Sequence, residues 1–221
     1  MSAVLCARRC ALAVGLCLVV LAGPAEAART MFGMPAFPNA LLPQWRSAID
    51  GLDAALAAFD ACAGDRAGCS VAGLGELVAQ LDGMRSLARP AQVAAVNHLA
   101  NARPYRSDQQ AYGRNDHWAG PLEFLERSGD CEDYALLKYA ALAWLGVPDR
   151  DLRVVLVRAL PGGTAHAVLA VESAGGRLIL DDAVPEVRSE AGIHHYRPVA
   201  AFNRQGRWGY LSRPAGLSRL P

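Results

Sequence analysis

Several things are scarce in this sequence, and each scarcity narrows the reading. A surplus of charge is missing. Across 221 residues, 22 Lys and Arg stand against 21 Asp and Glu, a formal net charge of +1. A near-neutral chain lacks the basic field that nucleic acid or an anionic membrane surface would attract, so neither is the expected partner. Lysine itself is almost absent: Lys138 is the only one, and the remaining basic residues are arginines, a bias that reads as genome composition. Closely spaced Cys and His pairs, the usual mark of a structural zinc site, do not occur. Beyond the first 27 residues no apolar run is long enough for a transmembrane helix. No internal repeat and no linker divides the chain.

What is present begins with an export signal. Arg8 and Arg9 precede an apolar run from Cys10 to Gly23, and Ala25-Glu26-Ala27 supplies the small-residue pattern of a cleavage site. The reading is a signal peptide over 1–27 and one domain over 28–221. Loss of Arg8, Arg9 and Glu26 removes two positive charges and one negative, which leaves the mature chain neutral. Three cysteines go with the signal. Cys62 and Cys69 flank a short polar loop and are expected to form a disulfide in an oxidising compartment. Cys131 is left over, and an odd thiol in an exported protein is a pairing site or a reactive group.

Residues 28–40, rich in Pro and Gly, read as an extended arm. Trp45, Ile49, Leu52, Leu56 and Phe59 give one helical stripe; Leu74, Leu77, Val78 and Leu81 a second; Val93, Val96 and Leu99 a third, starting at Pro90. Residues 103–120 are polar and aromatic and read as a long loop, a length that usually has a functional reason. Pro121 opens a short turn. Glu132 to Leu145 is apolar nearly all round, the mark of a central buried helix, and Gly146 and Pro148 end it. The period then changes to two over 154–160, 166–171 and 177–180, separated by Gly pairs, with a final hairpin over 196–211. Helices first and an antiparallel sheet second make an α+β domain.

The chemistry centres on Ser128-Gly129-Asp130-Cys131-Glu132-Asp133-Tyr134. Cys131 opens the buried helix, where free N–H groups and the helix dipole favour a thiolate. Its neighbours are Gly and acids, which is no core environment. A thiol nucleophile wants an imidazole to take and return its proton. Of five histidines, His166 is the best placed, at the start of a strand after a Gly-Gly turn. His98 lies on a helix, His117 in the aromatic loop, and His194 and His195 in a polar surface loop. An acid should orient the imidazole; Asp181 and Asp182 both follow the strand Leu178-Ile179-Leu180, and one of them is a turn aspartate. Asp130, Glu132 and Asp133 crowd the thiol and oppose its ionisation. Two accounts stand: they cap the helix, or they hold a hard cation such as Ca²⁺.

These residues resemble the bacterial transglutaminase-like cysteine proteinases of the LapG type. The resemblance runs over roughly residues 40–212 and is carried by Asn115-Asp116-His117-Trp118-Ala119-Gly120-Pro121, by Gly129-Asp130-Cys131-Glu132-Asp133-Tyr134-Ala135 with Lys138-Tyr139, by His166-Ala167-Val168-Leu169, and by Leu180-Asp181-Asp182. It implies a papain- and transglutaminase-like fold, with the Cys-bearing helix packed on an antiparallel sheet. It implies a catalytic triad of Cys131, His166 and Asp181, and a calcium site on Asp130 and Glu132 with Asp133 beside it. It further implies a periplasmic endopeptidase that cuts a large surface adhesin near its N-terminus, after paired alanines, and so releases cells from biofilm. The implied partner is an inner-membrane receptor of the LapD type that senses cyclic di-GMP, so contact with the membrane is through protein alone. One departure is Asp182, where the family often has Asn. A transglutaminase-type acyl transferase would use the same triad, and a non-catalytic calcium-dependent binding module is the alternative from another class.

Overall fold

The computed structural model describes residues 30–36 and 43–210; the expected signal peptide lies outside them, as do the ends of the expected arm. Among the described residues, six α-helices precede six strands. The helices are α1 (Pro43–Gly64), α2 (Leu74–Gly83), α3 (Arg89–Asn101), α4 (Asp108–Ala111), α5 (Pro121–Arg127) and α6 (Cys131–Trp144). The strands are β1 (Leu152–Ala159), β2 (Thr164–Ser173), β3 (Gly176–Leu180), β4 (Arg188–Ser189), β5 (Tyr196–Phe202) and β6 (Arg207–Gly209). They form one antiparallel sheet in the order β4-β3-β2-β1-β5-β6. The sequence therefore predicts the α+β class and its main elements correctly.

The buried helix is the organising element. α6 packs on β1 and β2 on one side and on α1, α3 and α5 on the other. Helices on one side and sheet on the other leave it no solvent-facing stripe, which is why its apolar residues run around the whole circumference. Strand alternation divides the sheet between two cores. Val154, Leu156, Ala167, Leu169 and Leu180 join the α6 core. Val155, Val157, Val168 and Ile179 point to the other face, where Met31 and Met34 cover them. Arg153 lies 3.9 Å from the Trp208 ring and 4.4 Å from the Phe32 ring, fastening residues 30–36 to the sheet.

Two elements differ from the expectation. The loop over 103–120 contains α4, a single turn that begins where the Gln110 side chain accepts the Ser107 N–H at 3.1 Å, half of a capping box. β4 is two residues long and pairs only with β3, too short for periodicity to register.

The Cys62–Cys69 disulfide closes the turn between α1 and α2, with Cα atoms 4.5 Å apart, and leaves Cys131 free. Closing so short a loop restricts the unfolded chain modestly, worth about 2–3 kcal/mol in the chain-entropy model. Cys62→Ser/Cys69→Ser is expected to lower the unfolding free energy by that amount in urea denaturation without changing the α6 site. A change below about 0.5 kcal/mol would show that the native state gains nothing from the bridge.

Candidate active site

The entry to α6 is shaped by one glycine and one aspartate. α5 is followed by Ser128, whose φ of 63° turns the chain sharply. Gly129 follows, and a Cβ there would meet Asp133 Oδ2 at 1.9 Å, so any larger residue collides. Asp133 is fully buried. Its Oδ1 accepts the Ala119 N–H at 2.7 Å and its Oδ2 accepts the Asp130 N–H at 3.2 Å. One carboxylate thus ties the 103–120 segment to the first turn of α6. Burial, with the charge of Asp130 added, pushes the Asp133 carboxyl up to about 9.

Cys131 is the first residue of α6 and half-buried. Its thiol donates to Glu132 Oε2 at 3.2 Å. Burial first, then the charges of Glu132 and Asp130, pushes the thiol well above its usual range. The acids oppose ionisation here, as the sequence anticipates.

His166 enters from β2, paired with Val157 of β1. Its Nε2 lies 2.8 Å from Asp181 Oδ1, which leaves Nδ1 as the other polar edge of the ring. Asp181 stands just past the end of β3 and is held from several sides. Tyr196 OH donates to its Oδ2 at 2.6 Å, the Ala183 N–H to its Oδ1 at 3.0 Å, and the Asn101 side chain to its carbonyl at 2.8 Å. Burial alone would raise its carboxyl; hydrogen bonds from His166 and Tyr196 outweigh burial and bring it down to about 2. Burial likewise disfavours the imidazolium, but the Asp181 hydrogen bond and charge prevail and raise the His166 pKa. Asp182 Oδ1 is 3.7 Å from the same nitrogen and is buried without a hydrogen-bond partner. Geometry thus separates two aspartates that sequence leaves equivalent.

Cys131 and His166 line one cleft of about 250 Å³, with Asp130, Glu132, Tyr105 and Trp118 on its walls. His98, His194 and His195 are exposed. His117 is bound to Arg114 and Glu123.

The acids around the thiol outnumber those the motif names. Carboxylate oxygens of Asp108, Asp116 and Glu132 come within 4.8 Å of one another, as do those of Asp108, Asp130 and Asp133. Asp108 and Asp116 come from the long polar segment, and neither stands out in the sequence as a ligand. Burial raises the Asp108 carboxyl to about 6. One oxygen each of Asp108 and Asp130 is buried without a hydrogen-bond donor. Unpartnered, all-oxygen, net-negative surroundings are what a hard divalent cation requires, so this donor set fits calcium.

A helix-borne thiol shares a cleft with a sheet-borne histidine, and that histidine contacts an aspartate just past β3, an arrangement of the papain- and transglutaminase-like kind. The chain belongs to the bacterial transglutaminase-like cysteine proteinases: the model of that family matches residues 54–214. It is a transglutaminase-like cysteine protease. Among solved structures it is similar to LapG of Legionella pneumophila. The calcium-bound form is 30% identical with a TM-score of 0.55, covering 62% of this chain and 77% of that one. The EGTA-treated form is 29% identical with a TM-score of 0.57, covering 63% and 77%. No curated protein matches the chain.

Proposed function

We propose that this chain is a calcium-dependent, periplasmic cysteine endopeptidase, with Cys131 as nucleophile, His166 as general base and acid, and Asp181 as orienter. The reading rests above all on the 2.8 Å contact of Asp181 with His166, which lines the same cleft as Cys131. Proton transfer from Cys131 to His166 gives a thiolate, which attacks the scissile carbonyl; His166 then protonates the departing amine, and water hydrolyses the acyl-thioester with His166 again as base. Asp181 fixes the ring and stabilises the imidazolium. Asp108, Asp116, Asp130 and Glu132, with Asp133 beside them, would hold calcium, whose charge would offset the acids that keep the thiol protonated.

The substrate we infer is a large surface adhesin cut near its N-terminus after paired alanines. Export follows from the 1–27 signal reading, with the mature chain beginning at Ala28 and sequestered by a LapD-type receptor. The test is to mix the purified mature protein with N-terminal fragments of adhesins from the same genome, with Ca²⁺ and with EGTA. One cut after paired alanines, lost in EGTA, is expected. Amine incorporation in place of a cut would favour the acyl transferase, and no reaction with any fragment would overturn the adhesin reading.

The two aspartates give a sharper internal check. Asp181→Asn should lower kcat/KM by about 10²–10⁴-fold, because the amide offers the wrong hydrogen bond to the ring. Asp182→Asn should stay within about tenfold of wild type, since that carboxylate makes no hydrogen bond to His166. The reverse ranking in a peptide-cleavage assay would move the orienter to Asp182.

A further inference from the structure

Tyr196 opens β5 beside the proposed triad. It pairs with Ala159 of β1, and His166 pairs with Val157 of the same strand. Val157 and Ala159 are two residues apart, so Tyr196 and His166 rise from either side of β1 onto one face of the sheet. Their ring centroids are 5.5 Å apart. The Tyr196 hydroxyl donates to Asp181 Oδ2 at 2.6 Å, a short bond to a charged acceptor.

The Asp181 side chain is 5% exposed, and its two oxygens have different partners. Oδ1 meets His166 Nε2 at 2.8 Å and accepts the Ala183 N–H at 3.0 Å. Oδ2 is held by Tyr196. The torsion that aims a carboxylate is broad and nearly twofold, so covalent structure fixes its direction only weakly. Hydrogen bonds must fix it instead: a ring is kept within about 10–20° of a productive angle only when its partner is itself locked. The next residue shows the contrast. Asp182 has a buried oxygen with no donor and stands 3.7 Å from the same imidazole nitrogen. Two other groups reach the pair. The Asn101 amide binds the Asp181 carbonyl rather than its carboxylate, and the charge of Lys138 on α6 acts on both aspartates. We propose that Tyr196 is a positioning residue: its hydroxyl fixes the rotation of the Asp181 carboxylate and thereby the direction in which His166 is held. This rests on the triad reading above.

The test is Tyr196→Phe, which keeps the packed ring and removes one oxygen. It is read by NMR titration of the His166 imidazole, assigned by its loss in His166→Ala, and by kcat and KM, all at one fixed calcium concentration. Without the hydroxyl, the Asp181 charge is no longer shared with a second donor and acts more fully on the imidazolium. His166 should therefore titrate about half a pH unit or more higher. kcat should fall about tenfold, with KM within about threefold of wild type, because the lost bond aims the base rather than binding the peptide. In the Asp181→Asn background, adding Tyr196→Phe should move the titration by less than about 0.2 unit and kcat by less than about twofold, since no carboxylate is left to aim. A tyrosine that only packs would leave the titration unmoved, or cost the same in both backgrounds. Either result, or a Tyr196→Phe kcat within about twofold of wild type, overturns the proposal. The titration needs no turnover: if no form of the protein cleaves, the peptidase reading falls and the His166 shift still decides the role of Tyr196.

Discussion

Cys131→Ala should leave no measurable peptide cleavage, a fall in kcat/KM of about 10⁴-fold or more. The expectation follows from where the sulfur sits. The thiol is the first side chain of α6, in the cleft that His166 lines from the opposite layer, and it donates a hydrogen bond to Glu132. Removing one half-buried sulfur opens no large cavity and relieves contact with two acids, so unfolding free energy should move by less than about 1 kcal/mol. His166→Ala should be as damaging, and the double variant no worse than either single one, because nucleophile and base act as one unit. Activity is read by long-time cleavage of a fragment or fluorogenic peptide, and stability by thermal denaturation. Cleavage above about 1% of wild type in Cys131→Ala would remove the thiol from the mechanism.

Chelation should be nearly as severe. Five carboxyl groups surround the first turn of α6, and the helix N-terminus offers only about half a positive charge against them. EGTA should lower activity by about 100-fold or more, and Ca²⁺ should restore it better than Mg²⁺, which tolerates irregular oxygen cages poorly. Asp108→Asn and Asp130→Ala should lose both calcium binding in calorimetry and cleavage. If the acids were caps alone, Asp130→Ala would cost about 1 kcal/mol and keep activity indifferent to calcium. Stability against pH supplies a second readout with a definite sign. In the metal-free protein Asp108 and Asp133 are raised to about 6 and about 9 by burial and neighbouring charge. Between the unfolded carboxyl pKa near 4 and these values the folded state binds more protons than the unfolded one. Metal-free protein should therefore gain stability as pH falls from 8 to 5. Saturating Ca²⁺ should reverse or flatten that slope by holding the carboxylates ionised. A metal-free stability that rises with pH over this range would contradict the buried acid cluster.

The order of helices and strands was legible because each announces itself locally. Leu52, Leu56 and Phe59 recur at helical spacing, and Val154 to Val157 meet two different cores because strand residues alternate. Cys131, His166 and the Asp181–Asp182 pair were legible because a nucleophile, a base and an acid are chemically unlike their surroundings. What stayed hidden was the set of contacts that cross the fold. Tyr196 reads as one more strand aromatic until β5 brings its hydroxyl to Asp181. Asn101 reads as a helix end until its amide meets the carbonyl after β3. Asp108 and Asp116 look like solvated loop acids until contacts such as Asp133 to Ala119 and Tyr112 to Ser128 bring their segment to the α6 entry. Strand order is hidden for the same reason: nothing local says that β5 pairs with β1 across 36 intervening residues.

The proposed nucleophile and its proposed base belong to different layers. Cys131 rides on the helical layer, and His166 and Asp181 on the sheet, with only side-chain packing between them. A swollen state that kept both layers but let them drift would retain its circular-dichroism spectrum and an alkylatable sulfur while losing turnover. The ratio of turnover to alkylation is thus a ruler for layer registry, and it can be read in crude extract, where no spectroscopic probe of packing would serve.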